Sequence, residues 1–228
     1  MTIAEQIKNI TSSLPTTTRL IAVSKTKPAE DIQEAYNAGQ RVFGENKALE
    51  MRDKHEALPK DIEWHFIGHL QTNKIKYIIP YVSLIHSIDS LNLLKEVNKE
   101  AAKKERRVDC LLQFHIAQED TKFGLSYDEA VQLLSSEEYK QMENIRIVGV
   151  MGMATFTDNS DQVSAEFGSL RTIFDRLKKE YFSSVESFCE LSMGMSDDYP
   201  LAIEQGSTLI RVGSAIFGKR NYNIPVND

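Results

Sequence analysis

Eight short apolar runs recur along this chain, and each is followed by a stretch carrying helix signals. They lie at 20–23, 41–46, 63–68, 83–88, 108–116, 145–151, 187–193 and 208–212. Runs of this length between turn signals read as buried strands, and strands buried on both faces show little alternation. Strict alternation with helices calls for parallel strands joined by right-handed crossovers. Eight such units close into a barrel. The 228 residues fall toward the short end of that architecture's range. The expected fold is therefore α/β, a single-domain (β/α)8 TIM barrel spanning 1–228, since no composition break marks a linker. An open doubly wound sheet would need a glycine fingerprint after its first strand, and none is present.

Punctuation between the runs supports this reading. Residues 2–13 predict a helix ahead of the first strand. Pro28, with Glu30 and Asp31 behind it, starts a helix that ends near Gly39. Helices are also expected through about residue 57 and from Leu70 to Pro80. Asp89 or Ser90 caps one that buries Leu91, Leu94 and Val97. Ser126 and Glu129 are spaced as a capping box. Phe167, Leu170, Phe174, Leu177 and Tyr181 form one apolar stripe, and Ser196 to Gln205 completes the set.

A net charge of −6 gives no reason to expect nucleic acid or an anionic membrane as partner. The basic cluster Lys103-Lys104-Glu105-Arg106-Arg107 closes a helix, where a solvated positive end suits the dipole. Cys110 and Cys189 both lie in apolar runs and read as buried, reduced thiols. The first residues lack the charge and apolar segment of a signal peptide, and no span approaches transmembrane length. A cytoplasmic protein is expected.

In a parallel barrel every strand's carboxyl end points at one mouth, where sites are built. There the sequence places Lys25, Asn46, His65, Lys122, the Met193-Gly194-Met195-Ser196 turn and Arg211-Val212-Gly213-Ser214. Lys25 reads either as a surface lysine or as an amine whose partial desolvation favours attack on an aldehyde. The turns after strands seven and eight are the usual phosphate site of a barrel. Ser196 would offer a hydroxyl and a helix start, and Gly213 and Ser214 backbone amides. A lysine facing a phosphate site across a barrel mouth suggests pyridoxal 5'-phosphate (PLP). His65 reads equally as a neighbour of the cofactor ring or as a satisfied strand-end histidine. Its spacing from His69 would suit a metal on a helix, but the two straddle a strand end and a glycine turn. Lys27 and Lys122 sit near the mouth, either as surface lysines or as transient holders of incoming cofactor. Glu45 and Asp120 as an acid and base pair have only proximity in their favour.

The segments VSKTKP (23–28), FGEN (43–46), EWHFIGHLQTNK (63–74), EDTKFG (119–124), LSMGMSDD (191–198) and STLIRVGSAIFG (207–218) resemble the PLP homeostasis protein family. These proteins are also described as similar to the amino-terminal domain of alanine racemase. The resemblance spans nearly the whole chain. It implies that Lys25 is the Schiff-base lysine, that Ser196, Gly213 and Ser214 hold the phosphate, and that Arg211 meets the pyridine nitrogen. It further implies a monomer that buffers PLP and delivers it to apoenzymes. The alternative is a PLP-dependent amino-acid racemase or lyase. The racemase takes a second base, a tyrosine, from a separate β-domain, and a chain ending with the barrel would be left with one-base chemistry. Two departures stand out: His115, where many members have asparagine, and the MGMATF end of the sixth strand.

Overall fold

The computed structural model describes residues 1–118 and 123–218, so Glu119, Asp120, Thr121 and Lys122 lie outside the described residues. Its eight strands are β1 (Arg19–Val23), β2 (Val42–Glu45), β3 (Glu63–Phe66), β4 (Leu84–Ile88), β5 (Val108–Phe114), β6 (Ile145–Gly152), β7 (Glu190–Ser192) and β8 (Leu209–Val212). All pair in parallel and in sequence order. β8 returns to β1 with Arg19 opposite Leu209 and Ile21 opposite Arg211, which closes the barrel. The (β/α)8 architecture expected from the alternation is present.

The helices are α1 (Ile3–Ser13), α2 (Ala29–Asn37), α3 (Ala48–Ala57), α4 (Ile75–Ile78), α5 (Leu91–Ala102), α6 (Tyr127–Ser135), α7 (Glu137–Lys140), α8 (Ser160–Glu180), α9 (Tyr199–Glu204) and α10 (Ser214–Phe217). Local chemistry sets most of their starts. Thr2 with Glu5 and Ser126 with Glu129 form reciprocal capping boxes, and the Ser90 side chain accepts from the Leu93 amide. Pro28 stands one residue ahead of α2, as its cap. Between Leu70 and Pro80 the expected helix shrinks to a 3-10 turn (Thr72–Lys74) and α4, since Thr72 and Asn73 favour turns over helix interior.

Alternation along the strands separates two apolar layers. Phe43, Trp64, Phe66, Ile85 and Leu191 face the helices, while Ile21, Leu84, Leu111, Val148, Met151 and Leu209 fill the barrel. The same alternation carries the inward rows upward toward the mouth: Ile21 to Val23 and Lys25, Leu111 to Gln113, Leu209 to Arg211 and Gly213. It also turns His65, His86 and Ser192 inward, since their neighbours Trp64, Ile85 and Leu191 face out.

Two expectations from the sequence need correction. β7 begins only at Glu190, which leaves Cys189 exposed, whereas Cys110 is buried in β5 as expected. The basic cluster after α5 is only partly a solvated helix end. Arg106 donates to the carbonyls of Ile79 and Val82, and Arg107 to that of Ile145, so both arginines tie the helix layer to strands and loops.

Candidate functional site

A cavity of about 420 Å³ opens at the carboxyl end of the barrel, within the roughly 300–1,000 Å³ usual for small-molecule sites. Lys25, Asn46, Ser196, Arg211, Gly213 and Ser214 line it, six of the seven residues singled out by the sequence. Val23, Ile67, Met153 and Met195 give it apolar walls, and Phe123 stands at its rim.

Lys25 follows β1 by two residues, half-buried in the turn that leaves the strand, on the side of Val23 that faces the cavity. Lys27 also borders the cavity, but its Nζ donates to the Phe217 carbonyl at 2.7 Å, toward the end of α10. Opposite, Ser196 Oγ accepts from the Gly213 amide at 3.2 Å, which joins the turns after β7 and β8. The first of these turns needs its glycine, and the second is tight around its own. Gly194 has φ +94°, and a Cβ there would lie 2.6 Å from the Ala202 side chain; a Cβ on Gly213 would stand 3.1 Å from the Val23 carbonyl. The helix start expected at Ser196 falls later. α9 begins at Tyr199, and the Asp198 carboxylate accepts from the Met195 amide at 2.5 Å instead.

Arg211 is almost fully buried beneath the cavity. Its Nη1 donates to Ser192 Oγ at 2.6 Å and its Nη2 to the Gly152 carbonyl at 3.0 Å. Burial pulls the guanidinium down to about 10, and the charge on Asp198 opposes this, so it remains a cation near neutral pH. Among the described residues no carboxylate is paired with it.

His65 is not at the mouth. It stands one residue before the end of β3 and points into the barrel, where it is 2% exposed, and it is absent from the cavity wall. Of its two readings the satisfied histidine fits. Its Nδ1 lies 3.0 Å from His86 Nε2, and His86 Nδ1 lies 2.9 Å from Ser192 Oγ. Hydrogen-bond satisfaction fixes the direction of this chain. Arg211 can only donate, so Ser192 accepts from it, and the buried Ser192 hydroxyl finds its acceptor in His86 Nδ1. His86 then donates through Nε2 to His65 Nδ1. Burial holds His65 down to about 3 and His86 well below its ordinary value, so both rings are neutral.

Other candidates are also resolved. His69 lies 3.4 Å from Asp89 and stacks on Phe123, and no group of metal-ligating side chains occurs among the described residues. His115 is exposed and does not border the cavity, and the Lys122 and Asp120 expectations fall outside the described residues. Glu45 is fully buried against Lys54, 2.8 Å away, and Ser24, 2.6 Å away. Sequence reasoning missed Gln113, a buried wall residue whose amide donates to the Phe123 carbonyl at 3.1 Å. It also missed His86 and Ser192. The available signal was the same for all three: a polar side chain at an inward strand position.

Comparison with known proteins matches residues 1–221 to the family model "Alanine racemase, N-terminal domain". A protein of Aquifex aeolicus named pyridoxal phosphate homeostasis protein is 41% identical over 205 residues, covering 90% of this chain and 88% of the relative. The chain belongs to the pyridoxal phosphate homeostasis protein family. A similar solved structure is that of PipY of Synechococcus elongatus without PLP, which is 36% identical, with a TM-score of 0.87 over 95% of this chain and all of that one. PipY with PLP bound is 35% identical with a TM-score of 0.82 over the same shares. Membership in this PLP homeostasis family makes the fit of the cavity to that cofactor a direct question. A buried cation without a carboxylate partner among the described residues, a lysine just past the end of β1, and a serine hydroxyl beside two small residues suit a ligand that carries an anionic group, a ring acceptor and an aldehyde.

Proposed function

We propose that this protein binds PLP at the barrel mouth, holds it covalently through Lys25, and serves intracellular PLP homeostasis as a buffer of the cofactor. The observation that carries this reading is the convergence of Lys25, Ser196, Arg211, Gly213 and Ser214 on one cavity. Bound there, PLP supplies an aldehyde carbon, to which the Lys25 amine joins as a C=N bond with loss of one water. Ser196 and the Gly213–Ser214 turn hold the phosphate with a hydroxyl and backbone amides. Asn46 orients the ring from the β2 side. Arg211 presents a donor that has no proton to give up, so it keeps the pyridine nitrogen unprotonated and weakens the ring as an electron sink.

That arginine disfavours decarboxylation and transamination but leaves racemisation open; storage rather than robust turnover accords with the names of the relatives, homeostasis proteins and not enzymes. Delivery to PLP-dependent apoenzymes by a cytoplasmic monomer belongs to the same reading. Among the described residues no helix is long and apolar enough to cross a membrane.

The test is the visible spectrum of the purified protein with and without PLP, followed by borohydride reduction and peptide mapping. The pyridoxyl group is expected on Lys25, and Lys25→Ala should lose the visible band. A label mapping chiefly to Lys27 or Lys122 would refute the assignment. Robust racemisation or cleavage of common amino acids would favour an enzyme instead.

A further inference from the structure

Lys25 is flanked by two residues whose backbones are unusually well held. The Ser24 amide donates to the Gly44 carbonyl at 3.1 Å, and the Ser24 carbonyl accepts from the Lys27 amide at 3.0 Å and from Lys54 Nζ at 2.8 Å. The Ser24 hydroxyl, pointing away from the cavity, donates to Glu45 Oε1 at 2.6 Å. On the other side, Thr26 adopts φ +65°, a conformation rare outside glycine, and its amide donates to Glu50 Oε1 at 2.6 Å. These contacts converge on one ammonium. Lys54 Nζ lies 2.8 Å from Glu45 Oε1 and 2.6 Å from Glu50 Oε1, with the lysine side chain 9% exposed and the carboxylate side chains 0% and 11%.

Such a cluster is a poor way to gain stability. Two carboxylates and one ammonium leave water here, and apolar side chains of similar volume would often pack as well or better. Glu45 Oε2 and Glu50 Oε2 also have no hydrogen-bond partner. Nor does the cluster touch the cavity, since Glu45, Glu50 and Lys54 are absent from its wall. What it does touch is the backbone on both sides of Lys25 and, through Glu45, the residue before Asn46.

We infer that Lys54, with Glu45 and Glu50, is a positioning centre that fixes the turn carrying Lys25 and thereby sets where its amine stands at the mouth. The three residues act through Ser24 and Thr26 and contact no ligand. This inference rests on the reading of Lys25 as the attachment point.

The consequence is selective. Loosening the clamp should impair the bond to an aldehyde, which needs one amine position, and spare the phosphate pocket built by the turns after β7 and β8. The decisive pair of probes is PLP and pyridoxine 5'-phosphate, which carries an alcohol in place of the aldehyde and binds without a covalent bond. In Glu50→Ala the Thr26 amide loses its acceptor. Affinity for PLP, measured by equilibrium dialysis, should fall about tenfold, with a matching loss of visible absorbance, while that for pyridoxine 5'-phosphate stays within about twofold of wild type. Glu50→Gln keeps an acceptor oxygen and should recover most of the PLP affinity. Lys54→Met should show the same split more strongly, and should it fail to fold, the Glu50 pair decides alone. Equal losses for both ligands, or no loss for either, would overturn the positioning role. Wild-type protein labelled by borohydride elsewhere than Lys25 would instead remove the reading beneath it.

Discussion

Lowering the pH from 7 to 5 should destabilise this protein through two histidines sealed inside its barrel. His65 and His86 are kept neutral by burial, His65 down to about 3 and His86 well below 6.5. Once the chain unfolds both return to about 6.5. A depressed folded value means that the unfolded state takes up protons the folded state refuses. The stability present above pH 6.5 is therefore lost as pH falls toward 3. Over two pH units His65 costs about 1.9 kcal/mol, and His86 adds in the same direction. Glu45 acts in the opposite sense. Burial raises it to about 7 against the pull of Lys54, so the folded state binds its proton first and gains as pH falls from 7 toward 4.5. That offsets about 2 kcal/mol, roughly what His65 costs, so the net loss between pH 7 and 5 is what His86 adds. Half-buried His55, also lowered by burial, adds in the histidines' direction. Urea denaturation of apoprotein at both pH values reads the difference. Glu45→Gln removes the opposing group and should widen the loss by about 2 kcal/mol. A Glu45→Gln protein as stable at pH 5 as at pH 7 would mean that a histidine accepts a proton inside the folded barrel, and the directional chain from Arg211 to His65 would be wrong.

Three further perturbations test separate parts of the structure. Ser192→Ala strands a buried N–H of Arg211 and the Nδ1 of His86, and should cost roughly 3–5 kcal/mol in urea denaturation; a loss under about 1 kcal/mol would show that water or a neighbour replaces the hydroxyl. Ser196→Ala removes one hydroxyl from the proposed phosphate site and should weaken PLP retention by about 1–2 kcal/mol in equilibrium dialysis, with unchanged affinity counting against the pocket. Gly194→Ala combines φ +94° with a Cβ 2.6 Å from the Ala202 side chain, and should lower stability by roughly 2–4 kcal/mol with the turn before Ser196 displaced.

The barrel was legible because its signals are local. Apolar runs, capping boxes and Pro28 act over a few residues, and eight repetitions of one unit leave little choice of closure. The cavity wall was legible for a related reason: strand direction alone sends Lys25, Asn46, Ser196 and Arg211 to the same end. What failed depended on strand register and on where strands begin. Whether His65 faces the mouth or the barrel interior turns on its place in the alternation of β3, between the outward-facing Trp64 and Phe66. Cys189 was misplaced because β7 begins at Glu190 and not at Ser187. Of the Ser24–Glu45–Lys54–Glu50 cluster only the Glu50–Lys54 pair, four apart on α3, follows a spacing rule; its links to β1 and β2 were beyond reach.

These failures share a cause with the way the site is supported. Barrel interiors are usually filled by branched apolar side chains, and this one is so at Ile21, Leu84, Leu111, Val148 and Leu209. Above that layer the filling becomes polar: His65, His86, Ser192 and Arg211. Each polar group there loses water and must recover hydrogen bonds from its neighbours. Ser192 has one proton and commits it to His86, which leaves its oxygen only to accept, and Arg211 supplies the donor. With a second N–H held by the Gly152 carbonyl, the guanidinium is fixed by two anchors on different strands. Swinging it toward the carboxylates of the Met195–Asp198 turn would break both bonds and leave the buried Ser192 oxygen and the Gly152 carbonyl without their donor. The neutral histidines thus keep a permanent cation facing the cavity without cancelling its charge, a task for which a carboxylate partner would be unsuited.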